Sequence, residues 1–152
     1  MTLAQRGSTL KAVLERATKG EPRGRATIRA LPVASTRLSP HPASTRAARA
    51  FVAEHLRTWD LDAAIDDATL LVSELVTNAI LHARTPIDLV VRKVKSSVRV
   101  EVFDEGSGVA QPLYPDIDAA AGRGLGLVQA VATRWGVDDV EVGKTVWFEI
   151  AL

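Results

Sequence analysis

The chain has 152 residues, the length of one ordinary domain, and its nineteen basic and eighteen acidic side chains give a formal net charge of +1. With 47% hydrophobic and 24% charged residues the composition is globular, which excludes a wholly disordered chain, a collagen-like repeat and a supercharged tail. No apolar run approaches the ~20 residues of a membrane span, no N-terminal apolar core suits a secretory signal, and cysteine is absent. Disulfides, thiolate zinc sites and thiol catalysis are thereby excluded, and a cytoplasmic location is expected.

The balanced charge conceals an asymmetry. Residues 1–30 carry seven basic side chains and two acids, so the remainder holds twelve basic and sixteen acidic residues, net −4. A basic arm can steer an acidic partner, but an acidic body does not suit direct nucleic-acid binding. Residues 3–18 have the spacing of one short helix, and Gly20, Pro22 and Gly24 break it. The arm is therefore placed at 1–25 and the main domain at 26–152.

In chain order, Ala26 to Val33 reads as a first strand, weakened by Pro32. Pro42 suits a helix start, and Ala43 to Trp59 has helical spacing through Ala48, Phe51, Val52, Leu56 and Trp59. Asp60 or Asp62 can cap a long helix reaching Ala83. Ile87–Val94 and Val98–Phe103 form a hairpin around Lys95-Ser96-Ser97, and residues 109–121 form a loop long enough to be a lid. Arg123 to Trp135 is helical with Gly136 as its stop, and Val137–Val142 and Thr145–Ala151 are strands around Gly143-Lys144. This order predicts an α+β fold: a two-layer sandwich of a mixed, mainly antiparallel sheet with helices on one face.

Three segments carry chemistry. On the long helix, Ile65, Ala68, Val72, Val76, Ala79 and Ala83 share one face. Glu74 and Asn78 fall on the other side, at about 180° and about 220° from Ile65, flanked by Leu70, Leu71 and Leu81. A mid-helix carboxylate in apolar surroundings needs a partner or a task. The second segment, Asp104-Glu105-Gly106-Ser107-Gly108, follows a strand, so the acid is fixed in place while the glycines admit close backbone approach. The third, Gly122-Arg123-Gly124-Leu125-Gly126, opens a helix whose free N–H groups and dipole suit a phosphate, with Arg123 as an added donor. Its spacing is neither the dinucleotide fingerprint nor a P-loop.

Glu74-x-x-x-Asn78, Asp104-x-Gly106-x-Gly108, Gly122-x-Gly124-x-Gly126 and Thr145 in this order resemble the GHKL, or Bergerat, ATP-binding fold. Val72–Ala83, Gly122–Val128, Arg134-Trp-Gly136 and Gly143–Phe148 are similar to the small anti-sigma-factor serine/threonine kinases, especially those of actinobacteria. The resemblance covers residues 26–152. It implies that Asn78 holds Mg²⁺ against the ATP phosphates and that Glu74 is the general base toward an acceptor serine or threonine. It further implies that Asp104 accepts from the adenine amino group, that Thr145 supports the adenine, and that Gly106 and Gly108 shape the nucleotide loop. Gly122, Arg123, Gly124, Leu125 and Gly126 would wrap the phosphates. The implied partners are a sigma factor and an anti-anti-sigma protein, with a homodimer formed through the first strand; the alternative is a non-catalytic ATP-binding module that sequesters a partner.

His55-Leu56-Arg57-Thr58 has the outline of a sensor-kinase phosphoacceptor box. The acid beside that histidine is missing, Trp59 stands where proline is expected, and only 19 residues separate His55 from Glu74. His55 therefore reads as an ordinary helix residue, His82 as a possible neighbour of Asn78, and Trp59, Trp135 and Trp147 as packing residues.

Overall fold

The computed structural model describes residues 30–106 and 122–152, with the backbone alone for 122–125. The expected arm at 1–25, its helix over 3–18, most of the strand expected at 26–33, the loop expected at 109–121, and Ser107 and Gly108 before it lie outside the described residues.

The described elements are β1 (Val33–Leu38), α1 (Ala43–Thr58), a 3-10 turn (Asp62–Ala64), α2 (Ile65–His82), β2 (Ile87–Val94), β3 (Ser97–Asp104), α3 (Gly122–Val131), β4 (Arg134–Asp139) and β5 (Lys144–Ala151). The strands form one sheet in the order β1-β2-β3-β5-β4. Helices on one face give the expected α+β sandwich. Every pairing is antiparallel, so the sheet has no parallel component among the described residues.

β1 begins where the expected first strand ends. Pro32 has no N–H to give the ladder. Its carbonyl instead accepts from Lys93 N at 2.9 Å, and strand pairing starts one residue later with Val33 opposite Arg92. In α1, Ser44, Ala48, Val52 and Leu56 recur every fourth residue and are buried. Ser44 Oγ donates to the Ser39 carbonyl at 2.7 Å and Ala43 N donates to His41 Nδ1 at 3.1 Å, which fixes the helix start. His55 lies in a ladder with Phe51 and Trp59, ring centroids 4.3 and 5.8 Å away, as an ordinary helix residue.

Asp60 does not cap the long helix. It takes φ +58° and ends α1, with Asp60 N donating to the Arg57 carbonyl at 3.0 Å and Leu61 N to the Leu56 carbonyl at 2.8 Å. These two bonds make a Schellman stop, and Leu61 packs on the core beside Leu56. Asp62 opens the 3-10 turn, and α2 starts after Ala64 without a side-chain cap. Asp66 and Asp67 supply negative charge to its first turn instead.

α2 buries Ala68, Leu71, Val72, Leu75, Val76 and Ala79. The sheet meets it with Ile87, Leu89 and Val91 of β2, Val98, Val100 and Val102 of β3, and Phe148 and Ile150 of β5. Each fully buried side chain of this size contributes about 1.5–3 kcal/mol. The β2–β3 hairpin turns on Lys95 and Ser96 alone, since Ser97 already pairs with Val94.

α3 stops at Val131, short of the expected Trp135, and β4 takes Trp135 and Gly136. Gly136 is a packing glycine rather than a helix stop. A Cβ there would sit 2.7 Å from Trp147 Cζ2, because the indole lies across β4. Trp147 belongs to the sheet face turned away from the helices. On that face Arg99 stacks over Trp147 at 3.7 Å and reaches Glu101 at 2.6 Å and Glu149 at 3.1 Å, while Arg92 reaches Glu101 at 2.8 Å. Asp88, also on this face, has its pKa pushed up by burial; Arg37, 3.3 Å away, opposes this and Glu105 adds to it.

Candidate functional site

Asp104 ends β3. Its cross-strand partners are Ile87 on β2 and Lys144 on β5. Alternation places Asp104 on the same face as Val98, Val100 and Val102, toward the helices. A hydrophobic strand thus delivers a carboxyl group to the rim of the core, where Asp104 is 1% exposed. Its Oδ1 accepts from Gly106 N at 3.1 Å. Burial pushes its pKa above the ordinary 3.8, against the pull of Lys144, the Gly106 N–H and His82.

Two glycines shape the backbone around this acid. A Cβ on Gly106 would lie 2.8 Å from Ala83 Cβ and 2.9 Å from Asp104 Oδ1, so only a glycine lets the loop close on the end of α2. Glu105 N donates to Thr85 Oγ1 at 3.0 Å and holds the same loop to the segment after α2. Gly143 has φ +104°, and a Cβ there would collide with the Asp104 carbonyl oxygen. The turn before β5 therefore crosses directly over Asp104.

Glu74, Asn78 and His82 form a row along α2, four residues apart. Each step rises about 6 Å, so the row runs from the Asp104 loop back along the helix. Glu74 and Asn78 are half-buried and His82 is exposed. Their surroundings are less apolar than the sequence suggests: Leu71 is buried, but Leu70 is 38% and Leu81 58% exposed. The row lies at the boundary between the packed face and solvent.

The glycine run is the first turn of α3 itself: Gly122, Arg123, Gly124, Leu125 and Gly126 are all helical. The first four N–H groups of any helix lack intrahelical acceptors. Gly126 is exposed, with open space where a Cβ would be. α3 packs beside α2 and buries Val128 in the core.

Thr145 does not join this group. It pairs with Phe103 on β3 and Asp138 on β4. Paired residues point to one face and neighbours alternate, so Thr145 shares the face of Trp147 and Glu149, opposite to Asp104. Its hydroxyl is on the wrong side of the sheet for the expected support of the adenine. Lys144 takes the position beside Asp104. The sequence held the signal: Val146, Phe148 and Ile150 alternate into the core, and the same parity puts residue 144 with them.

The candidate site thus offers a buried acceptor fixed at a strand end, an amide and an acid in successive helix turns, and a glycine-opened helix start. The family model for the histidine kinase-like ATPase domain matches residues 38–150, and the chain belongs to that family. A comparison with curated proteins found no match. Membership implies ATP binding, with Mg²⁺ its usual companion, in a regulatory or kinase role. The donor set fits. Asp104 offers an oriented acceptor, and Asn78 offers a neutral hard ligand suited to a cation shared with phosphates. No helix among the described residues is long and apolar enough to cross a membrane.

Proposed function

We propose that this chain is an ATP- and Mg²⁺-dependent protein serine/threonine kinase of the anti-sigma type. In this reading it phosphorylates a small anti-anti-sigma protein and holds a sigma factor in alternation with it, as a homodimer. The observation that supports the reading best is the order of groups along α2. The base acceptor Asp104 lies at the C-terminal end of the helix, close to His82, with Asn78 one turn further back and Glu74 one turn beyond. Base, phosphates and acceptor hydroxyl would follow one another along that line.

In this arrangement Asp104 orients the adenine through its amino group. The free N–H groups at the start of α3 hold phosphate oxygens, and Asn78 presents its amide oxygen to the cation. Mg²⁺, when bound, neutralises phosphate charge. Glu74, beyond the phosphates, accepts the proton of the incoming serine or threonine hydroxyl, a role worth ~10²–10⁴-fold in rate. The remainder of the rate enhancement comes from positioning and electrostatics.

The test is transfer of labelled γ-phosphate to a purified anti-anti-sigma protein. Glu74→Ala should still bind ATP and transfer nothing, whereas Asn78→Ala should bind Mg²⁺-ATP poorly. Transfer at the wild-type rate by Glu74→Ala would refute the base assignment. ATP binding by the wild type with no transfer to any such protein would establish the alternative, a non-catalytic module that sequesters its partner.

A further inference from the structure

The register of the sheet sets three charged residues in a row across its helix-facing side. Asp104 on β3 pairs with Lys144 on β5, and Lys144 pairs in turn with Asp139 on β4. Asp104 is buried, Lys144 half-buried and Asp139 exposed. The backbone of the 143–144 turn is held against Asp104 by the close approach of Gly143 to the Asp104 carbonyl. The lysine is thus tethered beside the acid by the ladder and by its own turn.

We propose that Lys144 is a positioning residue of the base pocket, holding Asp104 as an acceptor-only carboxylate and so selecting a 6-amino purine over a 6-oxo purine. The proposal rests on the nucleotide-site reading above. A carboxylate accepts hydrogen bonds and cannot donate them, so it welcomes the amino group of adenine and repels the carbonyl of hypoxanthine. A neutral carboxyl group can donate as well and tolerates both. Selection of the base therefore depends on keeping the buried acid ionised.

Each described group that acts on Asp104 fits into this balance. From β5, Lys144 favours the charged form, and so does the Gly106 N–H from the loop. From the end of α2, His82 acts in the same direction when protonated. Ile87 on β2 is apolar and contributes only burial, which acts the other way. Asp139 lies beyond Lys144, exposed on β4.

The experiment pairs two readouts on the full chain: a ¹³C NMR titration of the Asp104 carboxyl group, and the ratio of ATP to ITP dissociation constants against pH. Both are measured in a His82→Gln background, which removes the histidine's influence on Asp104. Lys144→Met should move the Asp104 midpoint to higher pH. Its preference for ATP should match the parent's at alkaline pH and fall about tenfold as pH drops through the raised midpoint, the size of one charge-assisted hydrogen bond. Lys144→Arg should restore both. An unchanged midpoint in Lys144→Met overturns the proposal, and so does a raised midpoint with a flat ATP-over-ITP ratio. If the parent binds neither nucleotide, the nucleotide reading fails on its own, and the carboxyl titration still shows whether Lys144 governs Asp104.

Discussion

Asp104→Asn should make the nucleotide-free protein more stable while crippling the site. Asp104 is 1% exposed, and burial raises its pKa above the ordinary 3.8 despite Lys144. An acid whose folded-state pKa is raised binds its proton more tightly in the folded protein. Its contribution to stability is fully present below 3.8 and is lost as pH rises through the folded-state value. At neutral pH the ionised group therefore costs stability, and a neutral amide removes that cost. Asparagine keeps an oxygen where Oδ1 accepts the Gly106 N–H at 3.1 Å, so the loop bond survives. Each kcal/mol gained raises Tm by about 2–4 °C for a chain of this size. Nucleotide binding moves the other way. At 100 times the wild-type dissociation constant, ATP adds about 2.7 kcal/mol. Losing one hydrogen bond to a charged acceptor weakens binding about 10- to 100-fold. The same ATP concentration then adds only about 0.4–1.4 kcal/mol. Thermal melts with and without Mg²⁺-ATP, at neutral pH and near pH 4, check both halves. A variant less stable than wild type at neutral pH, or one with the full ATP-induced shift, would refute the reasoning. So would a stability difference that fails to shrink on acidification.

Gly106→Ala forces a methyl group to 2.8 Å from Ala83 Cβ and 2.9 Å from Asp104 Oδ1, so calorimetry should show ATP affinity reduced about tenfold or more; equal affinity would mean the loop has room to yield. Gly136→Ala trades a backbone-entropy gain of roughly 0.5–1 kcal/mol against a clash of about 1–3 kcal/mol with Trp147, 2.7 Å away. The net loss, about 1–2 kcal/mol, should disappear when Trp147→Leu is added, and additive losses in the double variant would dismiss the steric account. Arg99→Met leaves Glu149 and Glu101 short of a cation on a largely buried face, and urea unfolding should show a loss of about 3 kcal/mol. A loss below about 1 kcal/mol would mean that Arg92 and Arg134 compensate.

The readily legible parts of the sequence were those with one dominant local signal. The 3.6-residue period found α1 and α2, and period-2 valines found the β2–β3 hairpin. The site was legible as a set of spacings, because Glu74 and Asn78 share a helix side and Asp104 must follow a strand. The failures came where two meanings compete for one residue. Asp60 reads as a helix start but serves as the left-handed stop of α1, a role in which aspartate substitutes for glycine. Gly136 reads as a stop but makes room for an indole eleven residues later, which no local pattern shows. β1 hides in Ser35-Thr36-Arg37, whose polar residues form an edge strand only because β2 is there to pair with it. Thr145 drew attention as the polar residue that the resemblance names, while strand parity gives the position to Lys144.

The sheet order also sets the sequence of events when the chain folds. β2–β3 and β4–β5 are local hairpins, closed by a two-residue turn and by the short Val140–Gly143 loop. β3 and β5 meet only by pairing residues such as Asp104 and Lys144, 40 positions apart, with α3 threaded between them. Closing so long a segment costs chain entropy before any contact rewards it, so this seam should form after the hairpins it joins. The two residues that would define the base pocket face each other across that seam. Neither hairpin alone brings Asp104 and Lys144 together, and in a nascent chain the two cannot meet until β5 has been made and docked. An opening confined to this seam would dissolve the binding site while both hairpins and the α1–α2 layer stay intact. Nucleotide bound across it would act as a clasp on the last-formed join of the fold.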